Sequence, residues 1–151
     1  GSPDLSGQPA ARAGQTLHAS CVALDAQRAV LILGASGAGK SSLALRLMAL
    51  GCALVADDRV HLMAAEGAVW ATAPAPLLGK IEARGAGLLA AEALPRARIA
   101  LVVDLAQEES ERLPPERQYV ICGEALPLIL RLHSAVIDAA ILQYLKGGRV
   151  A

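Results

Sequence analysis

The chain has 151 residues and sets 14 Lys and Arg against 14 Asp and Glu, a formal net charge of +0. That length suits one domain, able to bury roughly 70% of the surface its unfolded form exposes; the balance excludes a general nucleic-acid binder, which needs a basic surplus, but leaves room for a local phosphate site. Hydrophobic residues make up 54%, yet the apolar runs break short of the ~20 residues a bilayer span requires, as Pro127, Arg131, His133 and Asp138 do within 125–142.

In chain order, residues 1–16 mix Pro, Gly, Ser and Ala without an apolar core and read as a flexible leader, with Gly1-Ser2 as an expression scar. Residues 17–24 and 28–33 predict strands, the second apolar after Arg28 and therefore suited to burial. A glycine-rich loop over 34–41 leads into a helix over 42–50, with Leu43, Leu47 and Leu50 at helical spacing and Gly51 as stop signal. Residues 52–56 predict another buried strand, ending at Asp57-Asp58. Residues 59–65 and 68–73 flank Glu66-Gly67 as a hairpin. Pro74 and Pro76 open a loop, 78–87 is punctuated by glycine, and 99–105 predicts a strong buried strand. Residues 107–118, with Pro114-Pro115, read as an exposed loop. Strands over 119–122 and 127–132 and a closing helix over 134–146 complete the chain, with 148–151 as a tail. The class is α/β: a single domain over 17–147, with a mixed β-sheet flanked by helices.

No Phe, one Trp and two Tyr are present, so the core must be aliphatic and stacking platforms for bases are nearly absent. Cys21, Cys52 and Cys122 lie far apart in apolar segments without metal-ligand spacing. They fit reduced thiols in a cytoplasmic protein.

Gly34-Ala35-Ser36-Gly37-Ala38-Gly39-Lys40-Ser41 fits the pattern Gly-x-x-x-x-Gly-Lys-Ser/Thr. Its glycines let the backbone curl so that successive N–H groups face phosphate oxygens. Lys40 reaches the outer phosphates, the Ser41 hydroxyl can ligate Mg²⁺, and the following helix adds the positive end of its dipole. So short a pattern also arises by chance, but here a buried strand precedes it and an amphipathic helix follows, as the chemistry demands. Asp57-Asp58 at a strand end can divide two tasks, one acid holding metal and the other moving a proton. Taken alone, the pair reads as solvated acids in an ordinary turn.

Three further segments join these. With His18, the 34–41 loop and Leu54-Val55-Ala56-Asp57-Asp58-Arg59-Val60, the chain carries Ile81-Glu82-Ala83-Arg84-Gly85-Ala86-Gly87 and Arg112-Leu113. In this order and spacing, residues 17–132 resemble the C-terminal catalytic domain of the bacterial HPr kinase/phosphorylase family, in its short alphaproteobacterial form. The resemblance implies a phosphoenolpyruvate-carboxykinase-like P-loop architecture. It also implies an ATP- and Mg²⁺-dependent kinase that phosphorylates a serine of the phosphocarrier protein HPr, and a reverse attack of inorganic phosphate on phospho-HPr that yields pyrophosphate.

The implied roles follow residue by residue. Gly34 to Ser41 hold the ATP phosphates, with Lys40 neutralising them; Ser41, Glu82 and Asp57 serve Mg²⁺. Asp58 exchanges the proton of the serine, His18 tunes the acid pair, and Arg84 and Arg112 face phosphoryl oxygens. HPr is the implied partner, with neither nucleic acid nor membrane, in control of the phosphotransferase system and of carbon and nitrogen metabolism; a homo-oligomer, the family hexamer, is a further implication. The chain departs from the family over 126–134, where longer members carry a Pro-, Gly- and Arg-rich turn linked to dephosphorylation. The alternatives are a P-loop kinase for a small metabolite and a nucleotide-sensing module that binds ATP without transferring phosphate.

Overall fold

The computed structural model describes residues 14–151; the leader through residue 13 lies outside them. Eleven strands and two helices run β1 (Gln15–Leu17), β2 (Ser20–Asp25), β3 (Arg28–Leu33), α1 (Lys40–Ala49), β4 (Ala53–Ala56), β5 (Val60–Ala65), β6 (Ala68–Thr72), β7 (Lys80–Ala83), β8 (Gly87–Ala90), β9 (Ala97–Glu108), β10 (Arg117–Ile121), β11 (Glu124–Arg131) and α2 (Ile137–Gly147). Nine strands form one mixed sheet ordered β1-β5-β6-β9-β3-β2-β4, with β11 also on β9 and β10 on β11. β3 and β11 run parallel to β9, while β2 is antiparallel to both β3 and β4.

The alternation of side chains in the central strands explains the layers. Val30, Ile32, Leu101 and Val103 point to one face, where Leu43 and Leu47 of α1 and Ile137, Ile141 and Leu145 of α2 cover them. Ala29, Leu31 and Val102 point to the other, where Leu62, Val69, Ile121 and Leu126 of β5, β6, β10 and β11 close over them. The helices therefore lie together on one face, and the curled sheet supplies its own second layer. With both faces covered, β3 beyond Arg28 and the middle of β9 can be wholly apolar.

The predicted 17–24 strand is two strands. Gln15 and Thr16, placed in the leader by sequence, belong to β1, which pairs with β5, whereas β2 pairs with β4. The hairpin at Glu66-Gly67 forms as expected, both residues at positive φ (56° and 75°). The glycine-punctuated 78–87 segment instead holds a separate two-stranded ribbon, β7 on β8. β9 runs on into the expected loop as far as Glu108. Cys21 and Cys52 are buried and Cys122 is half-buried, all three as free thiols; burial pushes the Cys21 thiol far above its usual range. No helix among the described residues is long and apolar enough to cross a membrane.

Candidate active site

The 34–41 loop leaves the C-terminal end of β3 and enters α1 at Lys40. Gly34 must be glycine: at φ 153° an added Cβ would come within 3.0 Å of the Ala38 Cβ and 3.3 Å of the Leu105 Cβ. Gly39, in the left-handed region at φ 98°, turns the chain into the helix. Lys40 is buried, and its ammonium donates back to the Gly34 and Ala35 carbonyls at 2.7 and 3.1 Å. The loop is thus curled around its own lysine.

Asp57 follows the last residue of β4 and is buried. Its Oδ1 accepts the hydroxyls of Ser41 (2.8 Å) and Ser20 (2.7 Å), and its Oδ2 accepts the Glu82 N–H at 3.3 Å. One carboxylate therefore joins the phosphate loop, β2 and the β7–β8 ribbon. Asp58 is turned the other way. It sits at φ 72°, and the Arg59 N–H donates to the Asp57 carbonyl at 2.8 Å, closing a γ-turn of the rarer, strained hand around Asp58. The turn exposes the Asp58 carboxylate, 3.2 Å from His18 Nε2. His18 comes from the break between β1 and β2, opposite the break between β4 and β5, where the paired ribbon turns a corner. The corner that interrupts the strands is what brings His18 and the acid pair together.

His18, Lys40, Ser41, Asp57, Asp58, Glu82 and Arg84 line one cavity, with Ser36, Gly37 and Gly39 on its loop side. Glu82 and Arg84 reach it because the ribbon folds over α1; both are exposed. Gly34, Ala35 and Ala38 shape the loop from behind. Arg112 is not brought to the cavity. It lies exposed in the loop of residues 109–116, which is pinned elsewhere: Glu109 and Arg117 form a two-pronged ion pair, and Arg149 donates to the Pro114 carbonyl. Among the described residues no three His, Cys, Asp or Glu side chains gather into a metal cage of their own.

Two residues of the site region escaped the sequence reading. Ser20 is a buried hydroxyl opening an apolar strand, and that polar interruption was its signal. Arg131 ends the apolar run of β11 and donates to the Ala38 carbonyl of the phosphate loop at 2.6 Å; its signal was a charge in an otherwise apolar stretch.

The HPr Serine kinase C-terminal domain model matches residues 11–126. The HPr kinase/phosphorylase of Bordetella pertussis is 42% identical over 97 residues, which cover 56% of this chain and 32% of that protein. That of Leptothrix cholodnii is 34% identical over 138 residues, covering 76% of this chain and 42% of that protein. The chain thus spans between about a third and two fifths of the length of these curated relatives. In fold it is similar to the Hpr(Ser) kinase/phosphatase from Coxiella burnetii, with a TM-score of 0.69, 24% identity and 87% of each chain covered.

Proposed function

The chain belongs to the HPr serine kinase C-terminal domain family, and on that premise we propose that it transfers the γ-phosphoryl group of ATP to a serine hydroxyl of HPr. The observation that carries the reading is the meeting, in one cavity, of a lysine-bearing phosphate loop with two acids of opposite character. Asp57 is buried and accepts three hydrogen bonds, which suits a fixed anchor. Asp58 is exposed and aimed outward by its turn, which suits a base that must meet a protein substrate.

Phosphoryl transfer asks mainly for positioning and charge neutralisation. The loop N–H groups and Lys40 hold the nucleotide phosphates, and Arg84, which lines the same cavity, neutralises the transferred group. Asp58 accepts the proton of the serine hydroxyl as its oxygen bonds to the γ-phosphorus and the bond to the ADP oxygen breaks; His18 keeps that carboxylate oriented. In reverse, Asp58 returns the proton to the serine oxygen while inorganic phosphate attacks, giving pyrophosphate. The oxygen donors Ser41, Asp57 and Glu82 fit Mg²⁺, which commonly takes one or two carboxylates and completes its shell with substrate phosphates. Bound there, Mg²⁺ would neutralise phosphate charge. Arg112 has no place in this scheme. The same reading carries HPr as partner, a cytoplasmic location and a catalytic unit over residues 17–147, extended by β1.

The test is incubation with γ-labelled ATP, Mg²⁺ and HPr, followed by addition of phosphate. Label should pass to an HPr serine; Lys40→Ala should abolish the transfer and Asp58→Asn should cut it by about 10²–10⁴-fold, both while remaining folded. ATP binding without transfer would replace the kinase with a nucleotide-sensing module.

A further inference from the structure

The phosphate loop is held from behind by a second cation that the reaction scheme does not use. At the end of β11 the register against β9 slips: Leu130 pairs with Asp104, but Arg131 pairs with Glu108. Residues 105–107 therefore bulge out of the ladder. Asp104 fixes the bulge by accepting the Ala106 N–H at 2.9 Å and the Gln107 side-chain amide at 3.2 Å. The Leu105 carbonyl, released from that ladder, accepts Arg131 Nε at 3.0 Å, and Arg131 Nη2 reaches on to the Ala38 carbonyl at 2.6 Å. The guanidinium is a fork with a set spacing, and here it spans from the bulge to the phosphate loop.

The consequence is directional. In a trans peptide the C=O and N–H point opposite ways, and no described peptide is cis. With the Ala38 carbonyl held on Arg131, the Gly39 N–H is turned away from it, toward the side on which Gly39 lines the cavity. Lys40 holds the Gly34 and Ala35 carbonyls in the same manner, but a bound phosphate would draw its ammonium away. Arg131 faces the back of the loop and keeps its grip.

We infer that Arg131 is a positioning residue for phosphate binding, which presets the Ala38–Gly39 peptide so that its N–H meets a nucleotide phosphate. The inference rests on reading the cavity as a nucleotide site, and its test separates the two. ATP with Mg²⁺ is titrated calorimetrically into the wild type, Arg131→Gln, Arg131→Lys and Lys40→Ala, with the thermal transition of each as the fold control. Glutamine can still serve the Leu105 carbonyl but is too short to reach Ala38 as well.

Arg131→Gln should raise the Kd for ATP about tenfold, the worth of one charge-assisted hydrogen bond. Arg131→Lys should recover part of the loss. KM for ATP should rise while kcat changes little, and amide exchange should quicken at Gly37 to Lys40. In either Arg131 variant, a lowered melting temperature beside a wild-type Kd marks a purely structural role and overturns the proposal. If the wild type and Lys40→Ala bind ATP equally poorly, the nucleotide reading falls and the inference falls with it.

Discussion

The Ser41 hydroxyl lies 2.8 Å from Asp57 Oδ1, tying the first turn of α1 to the strand end that carries the acid pair. Ser20 donates to the same oxygen from β2 at 2.7 Å and is almost wholly buried. Ser20→Ala would leave Asp57 with Ser41 and the Glu82 N–H as its donors. The expected cost is about 1–2 kcal/mol, seen as a lower urea midpoint with an unchanged slope. Phosphotransfer should fall by less than about tenfold, since the charge on Asp57 stays in place. Complete loss of transfer in a stably folded variant would give Ser20 a direct chemical part.

Gly34→Ala tests the shape of the phosphate loop. Its new methyl would meet the Ala38 and Leu105 Cβ atoms, one within the loop itself and one at the β9 bulge, at a backbone angle that side chains rarely adopt. Neither neighbour is a flexible side-chain tip, so the loop itself must shift. Overpacking of this kind costs roughly 1–3 kcal/mol. The melting temperature and ATP affinity should fall together, by contrast with Lys40→Ala, in which affinity falls most. Normal ATP binding by the Gly34→Ala protein would mean the loop is set by something other than this close approach.

Asp58 combines an exposed carboxylate with a left-handed backbone. Asparagine tolerates that conformation and valine does not. Asp58→Asn should keep wild-type stability and ATP binding while transfer drops by about 10²–10⁴-fold, the usual worth of a general base. Asp58→Val should lose transfer and also about 1–3 kcal/mol of stability from strain. Equal denaturation midpoints for the two variants would show that the turn stores no strain.

Much of this was legible because local patterns and tertiary structure agree. The unbroken apolar runs of β3 and β9, the glycines of the phosphate loop and the Glu66-Gly67 turn each have one favourable solution, and the structure adopts it. The meeting of His18, Asp57, Glu82 and Arg84 was legible only through the family resemblance. No periodicity reports that β1 and β2 break at the same corner as β4 and β5. Ser20 and Arg131 went unread because each acts on a partner distant in sequence, Asp57 and Ala38. Arg112 lies outside the cavity lining for the converse reason. A short motif in a polar loop carries no information about where the loop is pinned, and the Glu109–Arg117 pair pins it away from the cavity.

That pin should respond to acid. Arg117 Nε and Nη2 donate to the two carboxylate oxygens of Glu109, both at 3.0 Å, and the Ser110 and Glu111 N–H groups donate to Oε2. The guanidinium above all, helped by those N–H groups and opposed by burial, holds the Glu109 carboxyl below the usual carboxylate range. A folded-state value below the unfolded one stabilises fully above the unfolded value, near pH 4.3, and the gain disappears as pH falls through the depressed folded value. From neutral pH to about 5 the pair's contribution should be flat; below about 4 it should fade, and the 109–116 loop should loosen. Glu109→Gln has no such proton to take up. Its melting temperature should be lower than that of the wild type at pH 7, and the gap should narrow toward pH 2. Parallel melting curves for the two proteins across that range would show that the ion pair does not anchor the loop.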